Sequence, residues 1–408
     1  MFKLQRLGLA LPETENWHLS LDHWALDDVI RHTSLAWSLQ DQSYAWGQLR
    51  NRGRDPSPPD LPIFPGVTFC RRYRRCKNAI QPGFRRRTTA SCLQPTPMTL
   101  RRNNFDVSNT VDTTDHASVN REIDRIFREL FADAGTQQLD RCFSDVVRLY
   151  RGENPHYRAC DTAYHNLQHV LEVSLAMARL MDGYERSRGG AESMGPRLFA
   201  FGVVIALLHD VGYLRHVNDS RHDNGAQYTP IHVARGARFM QRYLDGIGMS
   251  ELAPIAREIV HFTGYERPAN RIQVPNNMFR MLGHMLGTAD IIAQMADRCY
   301  LEKCRDRLFP EFVQGGLASN GAGDQRRGIL FTSVEEFMGK TPGFYKTATA
   351  RLNDQLGETH KYVQRHFDGR NLYFEEIDKN IQYASKVAEE HDLSLLRRVL
   401  PASGSHEE

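Results

Sequence analysis

From about Asp106 onward, apolar positions recur at helical spacing and seldom alternate as they would along strands. Ser118 is placed to cap a helix in which Ile123, Ile126, Phe127, Leu130 and Phe131 fall on one face. A second helix carries Cys142, Val146, Val147 and Leu149, and Asn154-Pro155 then breaks the pattern. The stretch 164–180 is helical again and closes near Gly183. After a loop at 187–195, Pro196 sits where a first-turn proline belongs, and residues 198–208 are apolar nearly all round, as in a central helix. Gly212 is placed for a left-handed exit from that helix. Asp290 lies in another apolar run, which residues 297–303 extend until Phe309-Pro310 stops or bends it. Residues 315–328 form a Gly-rich exposed loop, with a lid as the alternative. Helix resumes at Val334, and Phe374, Ile377, Ile381 and Ala384 give the last helix a packing face for the bundle or a dimer partner. With strand-like patterning scarce and no internal repeat, the expectation is an all-α helical bundle over residues 106–400.

Residues 1–105 have a different texture. Between Arg50 and Arg102 the chain is rich in Pro and Arg, as in Arg71-Arg72-Tyr73-Arg74-Arg75 and Arg85-Arg86-Arg87, and no helical or strand period holds. This reads as a solvated, weakly ordered basic extension. The alternative is a tether to nucleic acid or acidic lipid, with Phe69, Tyr73 and Phe84 interleaved among the charges. Met98 lies just before the first well-patterned helix, so an over-extended reading frame is a further account of what precedes it. Trp17, Trp24, Trp37 and Trp46 all fall near the start, in a stretch to which no chemistry is assigned.

Composition narrows the class. The length of 408 residues suits two or three domains, and a 41% hydrophobic content is ample for a core. No run of about 18 apolar residues and no secretory signal stand out, so a cytoplasmic protein is expected. A net charge of +3 implies no nucleic-acid partner by itself. Seven cysteines without a C-x-x-C pair suggest reduced thiols, and neither a disulfide framework nor a thiolate zinc site.

Candidate chemistry begins at His165 and His169, four apart and so on one face of a continuous helix. His209-Asp210 ends the all-apolar helix, where burying the acid costs several kcal/mol unless it is paired or bound to metal. A hydrogen-bonded pair fixing the helix end is the other account. Asp290 adds a second acid in an apolar setting. Two acids and two histidines on separate apolar helices read as ligands converging on a cation in a bundle core. Imidazole and carboxylate without thiolate suit Zn, Mn, Fe or Mg.

The ordered set Tyr164-His165-Asn166-x-x-His169, His209-Asp210 and Asp290 resembles the HD-domain metal-dependent phosphohydrolases, and its first motif is similar to the catalytic helix of class I cyclic-nucleotide phosphodiesterases. The resemblance covers about residues 141–301. It implies a first metal site of His169, His209, Asp210 and Asp290, with Asp210 bridging to a second divalent ion. It also implies that His165 is the general acid protonating the leaving oxygen. His232, which matches a family histidine, and His261 are the expected additions to the second site. Tyr164 and Asn166 are expected to support the ligands, with capping or core packing as the alternative, and Gln294 lies one turn beyond Asp290. Tyr213 departs from the family, whose members carry a histidine or a lysine there, and no Gly-Tyr-Pro follows His261 as in the cyclic-di-GMP branch. His216, His222, Arg215, Arg221 and Arg235 read as surface residues. The implied activity is hydrolysis of a nucleotide phosphodiester, cyclic mononucleotide first. A nucleotide phosphomonoesterase and a non-catalytic metal- and nucleotide-binding module are the alternatives.

Overall fold

The structure, a computed structural model, describes residues 100–319 and 329–402; the basic extension, most of the Gly-rich loop and the last residues lie outside this range. Helix α1 (His116–Leu130) starts at Asp115, whose carboxylate accepts the Ala117 and Ser118 N–H groups at 2.9 and 3.1 Å. The acid satisfies two of the free N–H groups of the first turn, so Ser118 lies inside the helix and does not cap it. Helix α2 (Gln137–Tyr150) follows, then α3 (Leu167–Ser187) and α4 (Gly195–Leu208), the last with Pro196 in its first turn.

Helix α3 is the hub. It is buried almost continuously from Gln168 to Tyr184 and packs against α1, α4 and α7 (Asn277–Met295). Helix α5 (His232–Gly246) and the short α6 (Ala253–Ile259) close one side. Helix α7 does not continue through residues 297–303. The Asp297 carboxylate accepts the Cys299 N–H at 2.6 Å and the Lys303 ammonium at 2.5 Å, which turns the chain at Ala296. A helical turn, Tyr300–Lys303, and a wide π turn, Cys304–Leu308, then lead into α8 (Phe309–Gln314). Helices α9 (Val334–Asp354) and α10 (Leu372–Glu390) pack on each other, and the expected apolar face of α10 seats in the bundle core. Among the described residues there is no strand, only three isolated bridges, and the fold is all-α as expected.

Three readings need correction. The stretch Gly195–Tyr213 does reach membrane-spanning length and hydropathy, but 78% of its apolar window is buried in the bundle, as for a core helix. Gly212 is not left-handed. A Cβ there would lie 1.9 Å from the His232 carbonyl oxygen, so glycine is needed because α5 presses onto the turn. Arg235 ties the same contact by donating to the carbonyls of Gly212 and Leu214 at 2.6 and 3.0 Å, which takes it out of the solvated set.

Residues 101–105, placed by sequence in the extension, pack with the helices. Arg101 donates to the Ala296 carbonyl at 2.8 Å and to Glu376 at 3.1 Å. The four described cysteines, Cys142, Cys160, Cys299 and Cys304, are free, and burial pushes each thiol up to about 12.

Candidate metal centre

Asn166 decides the local geometry. Its side chain caps α3 by accepting the His169 N–H at 3.2 Å, so His165 stands just before the helix and the two histidines do not share one helical face. A capping asparagine competes with continued helix, and periodicity alone does not register that competition. Both rings still reach one cavity of about 530 Å³, with centroids 5.8 Å apart and planes at 90°.

The candidate ligands arrive from three elements. His169 comes from the first turn of α3, His209 and Asp210 from the end of α4, and Asp290 from the middle of α7. The two Nε2 atoms lie 3.3 Å apart. Asp210 Oδ2 is 3.3 Å from His169 Nε2 and 3.2 Å from His209 Nε2, and Asp290 Oδ1 is 3.4 and 3.8 Å from the same atoms. Ligand atoms of His169, His209 and Asp290 all fall within 4.8 Å of one another.

The donor set fits a cation. His209 Nδ1 donates to the Ala206 carbonyl at 2.7 Å, which turns the Nε2 lone pair inward. Asp210 Oδ2 is buried and accepts no hydrogen bond despite its two close nitrogens. An orphaned carboxylate oxygen among imidazole nitrogens is costly unless positive charge joins it. In the metal-free protein a proton can serve. Burial alone would lower His169, but Asp210 and Asp290 more than reverse this and push it up to about 10. Burial likewise disfavours the Asp210 carboxylate, and His209 and His169 hold it well below the usual range.

The remaining candidates take distinct places. His232 donates through Nδ1 to the Thr229 carbonyl at 2.7 Å and brings Nε2 to 3.7 Å from Asp210 Oδ1. His261 is buried and paired through Nδ1 with Glu266 at 2.5 Å; it is not among the residues lining the cavity. Tyr213 stacks against the rings of both His165 and His232, 4.4 Å from each centroid. Gln294 donates to Asp290 Oδ1 at 3.4 Å and accepts from the Tyr164 hydroxyl at 3.3 Å, so Tyr164 and Gln294 together steady a ligand. Arg215 pairs with Asp161 at 2.6 Å, and His222 lies 3.3 Å from Asp219.

Sequence reasoning missed Glu311. Its buried carboxylate accepts the backbone N–H groups of Tyr164 and His165 with one oxygen and meets His165 Nδ1 at 2.6 Å with the other. An ionised carboxylate only accepts, so Nδ1 carries the hydrogen and Nε2 is left for the cavity. The one signal was an acid within an apolar Phe-Pro-Glu-Phe run, 146 residues away from its partner.

No family model, curated protein or solved structure matches the chain.

Proposed function

We propose that this chain is an HD-type metal-dependent phosphohydrolase that cleaves a phosphodiester. The observation that carries the reading is the buried Asp210 oxygen without a hydrogen bond, set between two imidazole Nε2 atoms and opposite Asp290. His169, His209, Asp210 and Asp290 would hold one divalent ion, and Asp210 with His232 would contribute to a second. Divalent ions supply Lewis acidity toward a phosphoryl group and acidify water.

The protein's own residues do the rest. Gln294 and Tyr164 fix the Asp290 carboxylate, and the Ala206 carbonyl fixes the His209 tautomer. Glu311 holds His165 through Nδ1, so that in its imidazolium form the ring can pass the Nε2 proton to the departing oxygen, which is a poor leaving group without one, and return to the neutral Nδ1–H tautomer. Tyr213 keeps that ring in its plane by stacking.

The purified chain with added Mn or Mg is expected to hydrolyse bis(p-nitrophenyl) phosphate, and Asp210→Ala to remove the activity. An unchanged rate in Asp210→Ala protein overturns the proposal. His165→Ala is expected to retain metal and lose about 10²- to 10⁴-fold in rate. Loss of metal in that variant would contradict the proton-donor role. A binding module without turnover would take up metal and hydrolyse nothing.

A further inference from the structure

On the side formed by α8, α9 and the segments beside them, the wall of the cavity is mostly apolar. Leu308, Phe312, Leu330, Phe337 and Phe344 line it, contributed by α8, α9 and the segments beside them. Helix α9 lays down a single stripe, Phe337, Thr341, Phe344 and Thr347, at helical spacing along the cavity.

The polar groups in this part of the wall are already engaged. Thr341 Oγ1 donates to the Phe337 carbonyl at 3.1 Å and Thr347 Oγ1 to the Gly343 carbonyl at 3.4 Å. The Tyr300 hydroxyl and the Cys304 thiol meet each other. The amide of Gln294 is taken up by Asp290 and Tyr164. A nucleobase set against this part of the wall would lose its water hydrogen bonds and meet hydroxyls whose protons are already donated, whereas an alkyl chain or a phenyl ring has no such bonds to lose.

Charge points the same way. Among the described residues lining the cavity, Arg267 is the one arginine or lysine, and it is bound to Glu258 at 3.1 Å. Among the described residues lining the cavity there is no cluster of cations for a second or third phosphate.

We infer that the substrate is an ester of a single phosphoryl group carrying an apolar chain or ring, which lies against the Phe312, Phe337 and Phe344 wall. This deepens the phosphohydrolase reading and rests on it for the turnover arm of the test, though not for the binding arm. Affinity should grow with the apolar area removed from water, about fourfold per added methylene.

The experiment uses the full chain with Mn. Rates are measured on p-nitrophenyl phosphodiesters whose second group is methyl, butyl, octyl or phenyl, beside thymidine 5′-p-nitrophenyl phosphate and cyclic AMP. The expected result is that kcat/KM climbs steeply from methyl to octyl and that octyl or phenyl exceeds both nucleotides; the two arms separate a chain from a ring. Phe344→Asn and Leu330→Asn are each expected to lower the octyl-to-methyl ratio by about fivefold or more. A flat chain-length series, or nucleotides as the better substrates, overturns the inference. In parallel, methylphosphonate and octylphosphonate are titrated into the same protein by calorimetry. Octylphosphonate binding no more tightly than methylphosphonate overturns the inference whether or not any ester turns over. Absence of all turnover with tight octylphosphonate binding upholds the apolar site and defeats the phosphohydrolase reading alone.

Discussion

At the scale of single residues, one proton and one carboxylate govern the centre. His169 is pushed up to about 10 from an ordinary 6.5, against the effect of burial, by the Asp210 and Asp290 carboxylates. A folded-state value above the unfolded one contributes stability that is fully present below pH 6.5 and lost as pH rises through 10. Protein stripped with EDTA should therefore lose urea resistance across that window. A metal ion that displaces this proton should bind about tenfold more tightly per pH unit gained below 10, as read by metal titration at three pH values. A pH-independent affinity would show that His169 is not the displaced group. Glu311 acts on the other histidine. Glu311→Gln should keep metal content and lower kcat by about tenfold or more, because an amide holds the His165 ring less firmly and without charge.

At the scale of elements, the site depends on where helices begin and how closely they approach. Asn166 separates His165 from the helix that carries His169, and Asn166→Ala should cost about 1 kcal/mol in urea unfolding, the usual loss for a cap. Gly212→Ala places a methyl 1.9 Å from the His232 carbonyl and must push α5 off the turn. Destabilisation of roughly 1–3 kcal/mol is expected, together with weakened binding of any ion that uses His232. These two positions show what was legible. The apolar period revealed α1 to α4 and the ligand-bearing α7, because burial imposes that period directly. It did not reveal the cap at Asn166 or the approach at Gly212, where one side-chain hydrogen bond or one missing methyl decides the outcome. Four residues of the candidate centre were readable as an ordered set, while Glu311 was not, because only tertiary packing brings α8 to the start of α3.

For the whole molecule, the centre stitches α3, α4 and α7 together through the middle of the bundle. An ion bound there should stabilise the fold by about 2.7 kcal/mol when present at a hundred times its Kd. Thermal unfolding with and without EDTA measures this, and an unchanged Tm on readdition of Mn, Zn or Mg would count against an ion joining these helices. A second tie lies deeper in α3. Arg179, 1% exposed, is held by Asp106 at 2.6 Å and by the Tyr373 hydroxyl at 3.2 Å. Since Asp106 precedes α1, this pair sets a limit on how short the protein can be made. A chain trimmed to begin at Met98 keeps both Arg101 and Asp106. One trimmed to begin at Val107 strands a guanidinium inside the hub helix, which costs about 3–5 kcal/mol and defines the shortest length at which the bundle can be expected to fold.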